Sequence, residues 1–350
     1  MESKRIIYFD YLRAIAVFSV IVLHVAAQNW HNADTNTFEW NVFNIYDGVS
    51  RWAVPIFVMI SGALFLGRDY SLDTLYCKHV LKMVIVFVFW SIVYSVWGYW
   101  ISGSVKTGKE LLMSIFVGWY HLWFIRMIIG LYMIVPLLNQ IVKDYKHAFY
   151  FLTLSFFFSF LMPQTISIID FKYRTLSQIL SKALSDANIH FIIGYSGYYV
   201  LGYLLHNIEL KRKQLVILYL LGFCGLLFTI GATAAISIYL EKPKDYFYDY
   251  FTVNILAVAV AVFLLAKHHL NFTNLSVKKE RLLFSLSKYS FGIYLVHIIV
   301  LEGLKEFLNL TTLSLNAVLA VPVISMSVFA ISYIISAVLN RIPIVKQWIV

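Results

Sequence analysis

"YFDYLRAIAVFSVIVLHVAAQNW", residues 8–30, is one apolar segment with an arginine and a histidine, Arg13 and His24, set into it. It is longer than the about 20 residues a helix needs to cross a roughly 30 Å hydrocarbon layer. Eleven positions separate the two side chains, close to three whole turns at about 3.6 residues per turn, so they share a face. Their Cα atoms lie roughly 16 Å apart along the axis, which puts Arg13 at one boundary and His24 past the middle of the layer. The fold is decided here: this is a membrane span with an ionisable stripe.

The remaining sequence agrees. Of 350 residues, 61% are hydrophobic and 13% charged, whereas soluble domains run at about 45–50% and about 25%. Apolar runs of spanning length fill nearly the whole chain, which reads as a single domain, 1–350, with no separate soluble part. A window of about 19 residues places spans near 12–30, 50–67, 79–101, 120–139, 148–163, 191–206, 215–240, 250–267, 289–306 and 314–339. The expected fold is an all-α polytopic transmembrane helix bundle of about ten spans. The opening "MESKRIIYF" has the basic start of a signal peptide, but Arg13 and His24 interrupt the apolar stretch that follows, so the first helix is read as retained.

The formal charge is +10, yet the basic residues are scattered over short loops, which argues against a nucleic-acid partner and for positive-inside topology. With both termini cytoplasmic, most of the 28 lysines and arginines, Lys4 and the "KRK" of 211–213 among them, fall inside, while Lys106 belongs to the outer minority. The longest outer connection, 164–190, is too polar to span and reads as an amphipathic helix on the outer surface. Cys77 and Cys224 indicate neither a disulfide framework nor a cysteine metal site. The histidines are dispersed, and the adjacent His268 and His269 lack acidic or cysteine partners at ligand spacing, so no metal is expected.

Arg13 has two readings: a snorkelling anchor paired with Asp10 at i, i+3, or part of a site. His24 likewise is either a neutral imidazole satisfied by a neighbouring helix or the marker of a pathway, since ionisable groups at that depth usually face a cavity. Its unperturbed pKa near 6.5 lets a histidine accept and return a proton at neutral pH.

Four blocks in order, "YFDYLRAIAVFSVIVLH", "SRWAVPIFVMISGALFLG", "HLWFIRMIIGLYMIVPLL" and "LSKYSFGIYLVHIIVL", resemble the membrane-bound acyltransferase family 3. The likeness extends over nearly the whole chain, and the arginine, ten residues, histidine arrangement is its most specific motif. The resemblance implies a bundle of about ten helices in the plasma or inner membrane. It also implies transfer of an acyl group, usually acetyl from acetyl-CoA, to hydroxyls of a surface glycan or lipid-linked saccharide. It places Arg13 and His24 on the family's essential pair and Arg51 on an arginine that opens the second span. Where relatives carry two arginines three apart at the start of the third span, this chain has His79 and Lys82.

Such a transfer needs a base for the hydroxyl proton and donors for the developing oxyanion. His24 suits the first role and Arg51 the second, with an interfacial anchor as the alternative for Arg51. The polyanionic donor calls for cations at the inner mouth, where Arg13 and Lys82 are expected. His121 and Trp123 begin the fourth span on the outer side, where they suit either a sugar or an aromatic belt. Tyr294 and His297 share a face at i, i+3 and either orient a substrate or pack the core. Arg126, inside the fourth span, must find a partner or a wet cavity, and reads equally as structural or substrate-binding. Ser61 and Gly62 read as residues that let helices approach closely. Two other functions use a buried His and Arg: a proton-coupled transporter, against which the lack of a visible internal repeat weighs mildly, and a glycan-lipid flippase.

Overall fold

Helix α1 (Ile7–Trp30) runs through the middle of the molecule. In the computed structural model, which describes residues 5–103, 107–186, 190–270 and 275–350 and only the backbone of 190–193, every regular element is helical. Lys4 and Lys106 lie outside the described residues. After α1 come α2 (Phe38–Ser50) and α3 (Ala53–Phe65), then α4 (Leu72–Thr74), a π-helical turn at Leu75–Val80 and α5 (Leu81–Ser102). Short α6 (Gly108–Val117) leads through a 3₁₀ turn, Tyr120–Leu122, into α7 (Trp123–Val142). A rod follows, made of α8 (Tyr145–Ser155), a second π-helical turn at Phe156–Leu161, and α9 (Met162–Asp170). Beyond it lie α10 (Arg174–Asp186), α11 (His190–Asn207), α12 (Arg212–Tyr239), α13 (Val253–His269), α14 (Val277–Leu308), α15 (Ala317–Leu339) and α16 (Pro343–Trp348).

Seven helical runs among the described residues are long and apolar enough to cross a membrane: Ile7–Trp30, Phe38–Phe65, Leu72–Ser102, Tyr120–Val142, Tyr145–Asp170, Arg212–Tyr239 and Ala317–Leu339. The other three expected spans coincide with α11, α13 and α14. Of these α13 is a shorter apolar helix of 17 residues, and α14 begins with the charged run Lys278, Lys279, Glu280, Arg281.

The surface follows membrane rather than aqueous logic. Helix α12 buries the small residues Gly222, Gly225, Thr229, Thr233 and Ser237 against α13, and exposes Ile217, Leu220, Phe223 and Leu227. In lipid a helix gains nothing from hiding leucine, so the small stripe faces protein, where backbones can approach. Helices α3 and α11 cross in the same way: a Cβ on Gly62 would lie 1.8 Å from the Tyr199 carbonyl oxygen, and one on Gly202 would lie 2.1 Å from that of Met59. The close-packing expectation holds for Gly62, while Ser61 instead lines a cavity.

The expected span beginning at residue 50 is longer and bent. Residues 31–49 are not all loop: Thr37 caps α2, its hydroxyl accepting from the Trp40 N–H at 3.3 Å. Helix α2 ends at Ser50 and α3 restarts at Ala53. The cause is Pro55, which has no N–H for the Arg51 carbonyl four residues back and whose ring crowds that carbonyl. Regular bonding resumes with the Ile56 N–H on the Trp52 carbonyl at 3.2 Å. Arg51 therefore sits at an internal break of a 28-residue run, not at the outer opening of a span.

Candidate active site

Helices α1, α3, α5, α7 and α14 enclose a cavity of about 200 Å³. Its inner part is edged by Arg13, Ser61, Tyr132 and Ser290, and its walls continue through Val20, Val54, Phe124 and Tyr294. Each of four walls carries a polar side chain one turn beyond those residues. On α1 it is His24, four after Val20; on the break before α3 it is Arg51, three before Val54. On the turn before α7 it is His121, three before Phe124; on α14 it is His297, three after Tyr294. A one-turn step keeps a side chain on the same face, so the four helices bring these groups together one turn beyond the cavity, at the end away from Arg13.

The rings meet there. The His24 and His297 centroids are 5.2 Å apart, His121 and His297 5.4 Å, and Tyr294 and His297 5.8 Å. The Tyr294 hydroxyl donates to the His121 carbonyl at 2.5 Å, tying α14 to the start of α7. His297 is fully buried, and its Nδ1 lies 2.6 Å from the Tyr294 carbonyl. A carbonyl only accepts, so Nδ1 carries the proton and Nε2 is left as an acceptor. No partner among the described residues fills Nε2. His24 is flanked edge-on by Tyr120 at 5.7 Å and retains accessible surface deep inside the bundle.

Arg51 approaches from α2–α3 as an ion pair. Its Nη2 donates to Asp47 Oδ2 at 2.7 Å, its Nε lies 2.6 Å from Oδ1, and its guanidinium rests 4.2 Å from the centroid of Tyr248. Asp47 is completely buried, and the Tyr248 hydroxyl is held on the Asn44 carbonyl at 2.8 Å. The site thus receives a neutralised guanidinium whose Nη1 is not on the carboxylate, rather than a free charge. Trp123 lies alongside, 5.9 Å from Tyr250 and 5.7 Å from Tyr195.

At the inner end Asp10 does not belong to Arg13 alone. The Arg5 Nε contacts Asp10 Oδ2 at 2.5 Å and the Ser287 hydroxyl donates to Oδ1 at 2.5 Å, whereas Arg13 stands 4.0 Å from Oδ1. Asp10 is satisfied elsewhere, and Arg13 is among the residues that line the cavity.

Two expected binding residues stand apart from this arrangement. Lys82 is not at the cavity: its Nζ reaches the Val350 carbonyl at 3.4 Å, beside the Trp90 indole on the Ile349 carbonyl, so it fastens the C-terminal segment to α5. Arg126 is not in a wet cavity either. It lies on the exposed side of α7, 5.6 Å over the Phe87 ring.

The sequence reading missed Asp47, Tyr120, Tyr132 and Tyr248. Asp47 is visible as an i, i+4 partner of Arg51, but residues 31–49 fall between two expected spans, where hydropathy marks no helix. The three tyrosines are single aromatics with no local pattern to mark them.

A profile described as an acyltransferase domain, that of acyltransferase family 3, matches residues 6–337. The chain belongs to acyltransferase family 3. No curated protein and no solved structure matches it. Membership covers every helix that walls the cavity, and with the seven apolar runs it supports a multi-pass membrane acyltransferase. The cavity, the histidine cluster and the Asp47–Arg51 pair all fall within the matched residues.

Proposed function

We propose that this chain is an O-acyltransferase of the cell membrane. It moves an acetyl or similar short acyl group from cytoplasmic acyl-CoA to a hydroxyl of a surface glycan or lipid-linked precursor. It has about ten spans, with α11, α13 and α14 crossing as well, and both termini are cytoplasmic. Its sequence blocks resemble those of the enterobacterial common antigen O-acetyltransferase, which favours a surface-glycan acceptor.

The observation that supports this best is the cavity edged by Arg13 together with the cluster of His24, His121 and His297 that packs one turn beyond its Val20, Phe124 and Tyr294 walls. Arg13 attracts the donor phosphates at the cytoplasmic mouth, and the narrow, largely apolar passage suits the extended arm that carries the thioester. His24 takes the proton from the acceptor hydroxyl as its oxygen attacks the thioester carbonyl carbon. The oxyanion that develops draws on the N–H of Arg51 that Asp47 leaves open. When the carbon–sulfur bond breaks, the departing thiolate takes the proton back from His24, and the histidine is neutral again. Tyr294, His297, His121 and Trp123 hold the acceptor and the base in place.

Purified protein incubated with labelled acetyl-CoA and extracted glycans tests the reading. Label appearing on glycan in an enzyme-dependent way supports it, and uptake or translocation of glycan without any acyl transfer overturns it.

A further inference from the structure

A second cavity, of about 630 Å³, opens at the end of the molecule where α1 finishes. The segment between α12 and α13 supplies one wall and is fixed there by Tyr248, whose ring lies 5.4 Å from that of Trp30. The volume falls within the about 300–1,000 Å³ of ordinary ligand sites. None of the chemistry described above uses it.

Its lining is built for hydroxyl groups. Ser159 is only 4% exposed, faces the cavity, and its Oγ has no hydrogen-bond partner among the described residues. A buried hydroxyl without a partner is costly, and Ser159 lies in the π-helical turn Phe156–Leu161, a distortion frequent at functional sites. Gln164 is held rigid, its Nε2 donating to Asn254 Oδ1 at 3.0 Å and its Oε1 accepting from the Val253 N–H at 2.8 Å. Asp249 uses Oδ1 for the Phe251 N–H at 2.7 Å, which leaves Oδ2 to accept from a ligand. Tyr195 and Tyr246 add ring faces, and α11 departs from helical geometry at Gly194 in the same wall.

Rigid acceptors beside aromatic faces match a saccharide, which offers many hydroxyls around an apolar ring face. Among the described residues the lining contains Asp249 and no lysine or arginine, and Lys244 stands behind Tyr246 with its Nζ 5.3 Å from that ring, so a phosphate inside the cavity would meet the Asp249 carboxylate directly. The cavity also leads toward the transfer site. Tyr195 lines it and packs on Trp123, two residues from His121.

We propose that this cleft binds the neutral saccharide portion of the acceptor, holding sugar residues next to the one whose hydroxyl is acylated. The proposal rests on the acyltransferase reading and adds to it the place and the charge class of the acceptor.

The test begins from a chain with both native cysteines, which are exposed, replaced by serine (Cys77→Ser, Cys224→Ser), with Tyr246→Cys as a reporter. In oriented vesicles without acyl-CoA, neutral methyl glycosides and N-acetylhexosamine glycosides should slow alkylation by a membrane-impermeant maleimide at least about threefold, while sugar phosphates should not. In the transfer assay with extracted glycans, Asp249→Asn and Ser159→Ala should raise the acceptor KM about tenfold, the loss expected for one hydrogen bond involving a charged or buried group. Turnover at saturating glycan and acyl-CoA binding should stay within about twofold. Transfer that proceeds with unchanged KM in both variants, and labelling that no neutral glycoside slows, would overturn the cleft while leaving the acyltransferase. Protection by neutral glycosides in a protein that never transfers acyl groups would support the cleft and overturn the reaction.

Discussion

Which imidazole nitrogens are free decides the division of labour among single side chains. His297 spends its Nδ1 proton on the Tyr294 carbonyl, so its Nε2 can only accept. It can therefore orient a hydroxyl or the His24 ring 5.2 Å away, and His24, with accessible surface and no such tether, is the better proton carrier. We expect His24→Ala to lower turnover by about 10²–10⁴-fold, the usual worth of a general base, and His297→Ala to cost only about tenfold. Single-turnover transfer with purified variants checks the order, and a larger loss at His297 would exchange the two roles. Arg51 invites a different experiment, because its pairing with buried Asp47 mixes folding with function. Removing one member of a buried pair costs about 3–5 kcal/mol, whereas an apolar replacement of both is often neutral. Asp47→Ala should thus lower thermal stability in detergent by about that amount. The double variant Asp47→Leu with Arg51→Met should regain stability without regaining transfer. Recovery of both would reduce Arg51 to a structural role.

One proline sets the geometry at the level of helices. Because Pro55 cannot bond the Arg51 carbonyl, α2 and α3 break there and turn the guanidinium inward. Pro55→Ala should let the run from Phe38 to Phe65 straighten, with a loss of turnover and unchanged acyl-CoA affinity, since Arg13 is untouched. Isothermal titration alongside the transfer assay separates the two. Gly62→Val places a side chain on the Tyr199 carbonyl and should abolish folded protein, while Gly130→Ala, which meets nothing within 4 Å, should be silent in size-exclusion yield. These features mark how far the sequence could be read. Hydropathy located the apolar segments, and the three-turn spacing of Arg13 and His24 pointed to a shared stripe, because both depend on local periodicity. The break at Arg51 was legible only with Pro55 and the Thr37 cap taken together, and the polar residues of 31–49 hid a helix. Lys82 and Arg126 lie away from the cavity for a common reason. Depth along a helix is written in the sequence, but which neighbour faces a side chain is set by packing between distant segments, such as the C-terminal Val350 against Lys82.

The whole molecule has a direction. Arg13 and His24 are tolerated in a span, where a central arginine costs about 2.5–3.5 kcal/mol on insertion scales and a boundary one less, because Arg13 lines the cavity and His24 packs on His297 and Tyr120 inside the bundle rather than on lipid. In the proposed reaction the donor approaches the Arg13 end and the acceptor the opposite one. Arg13→Ala should accordingly weaken acyl-CoA binding, by about tenfold for the loss of one charge-assisted contact, with little effect on acceptor KM. Unchanged donor affinity would return Arg13 to the role of an interfacial anchor. The most direct measurement uses sealed vesicles of known orientation, loaded with glycan acceptor on the outer-facing side and given labelled acetyl-CoA on one side at a time. The account predicts glycan labelling only when the donor meets the cytoplasmic face, and none with His24→Ala. Equal labelling from either side, or undiminished labelling without His24, would contradict it.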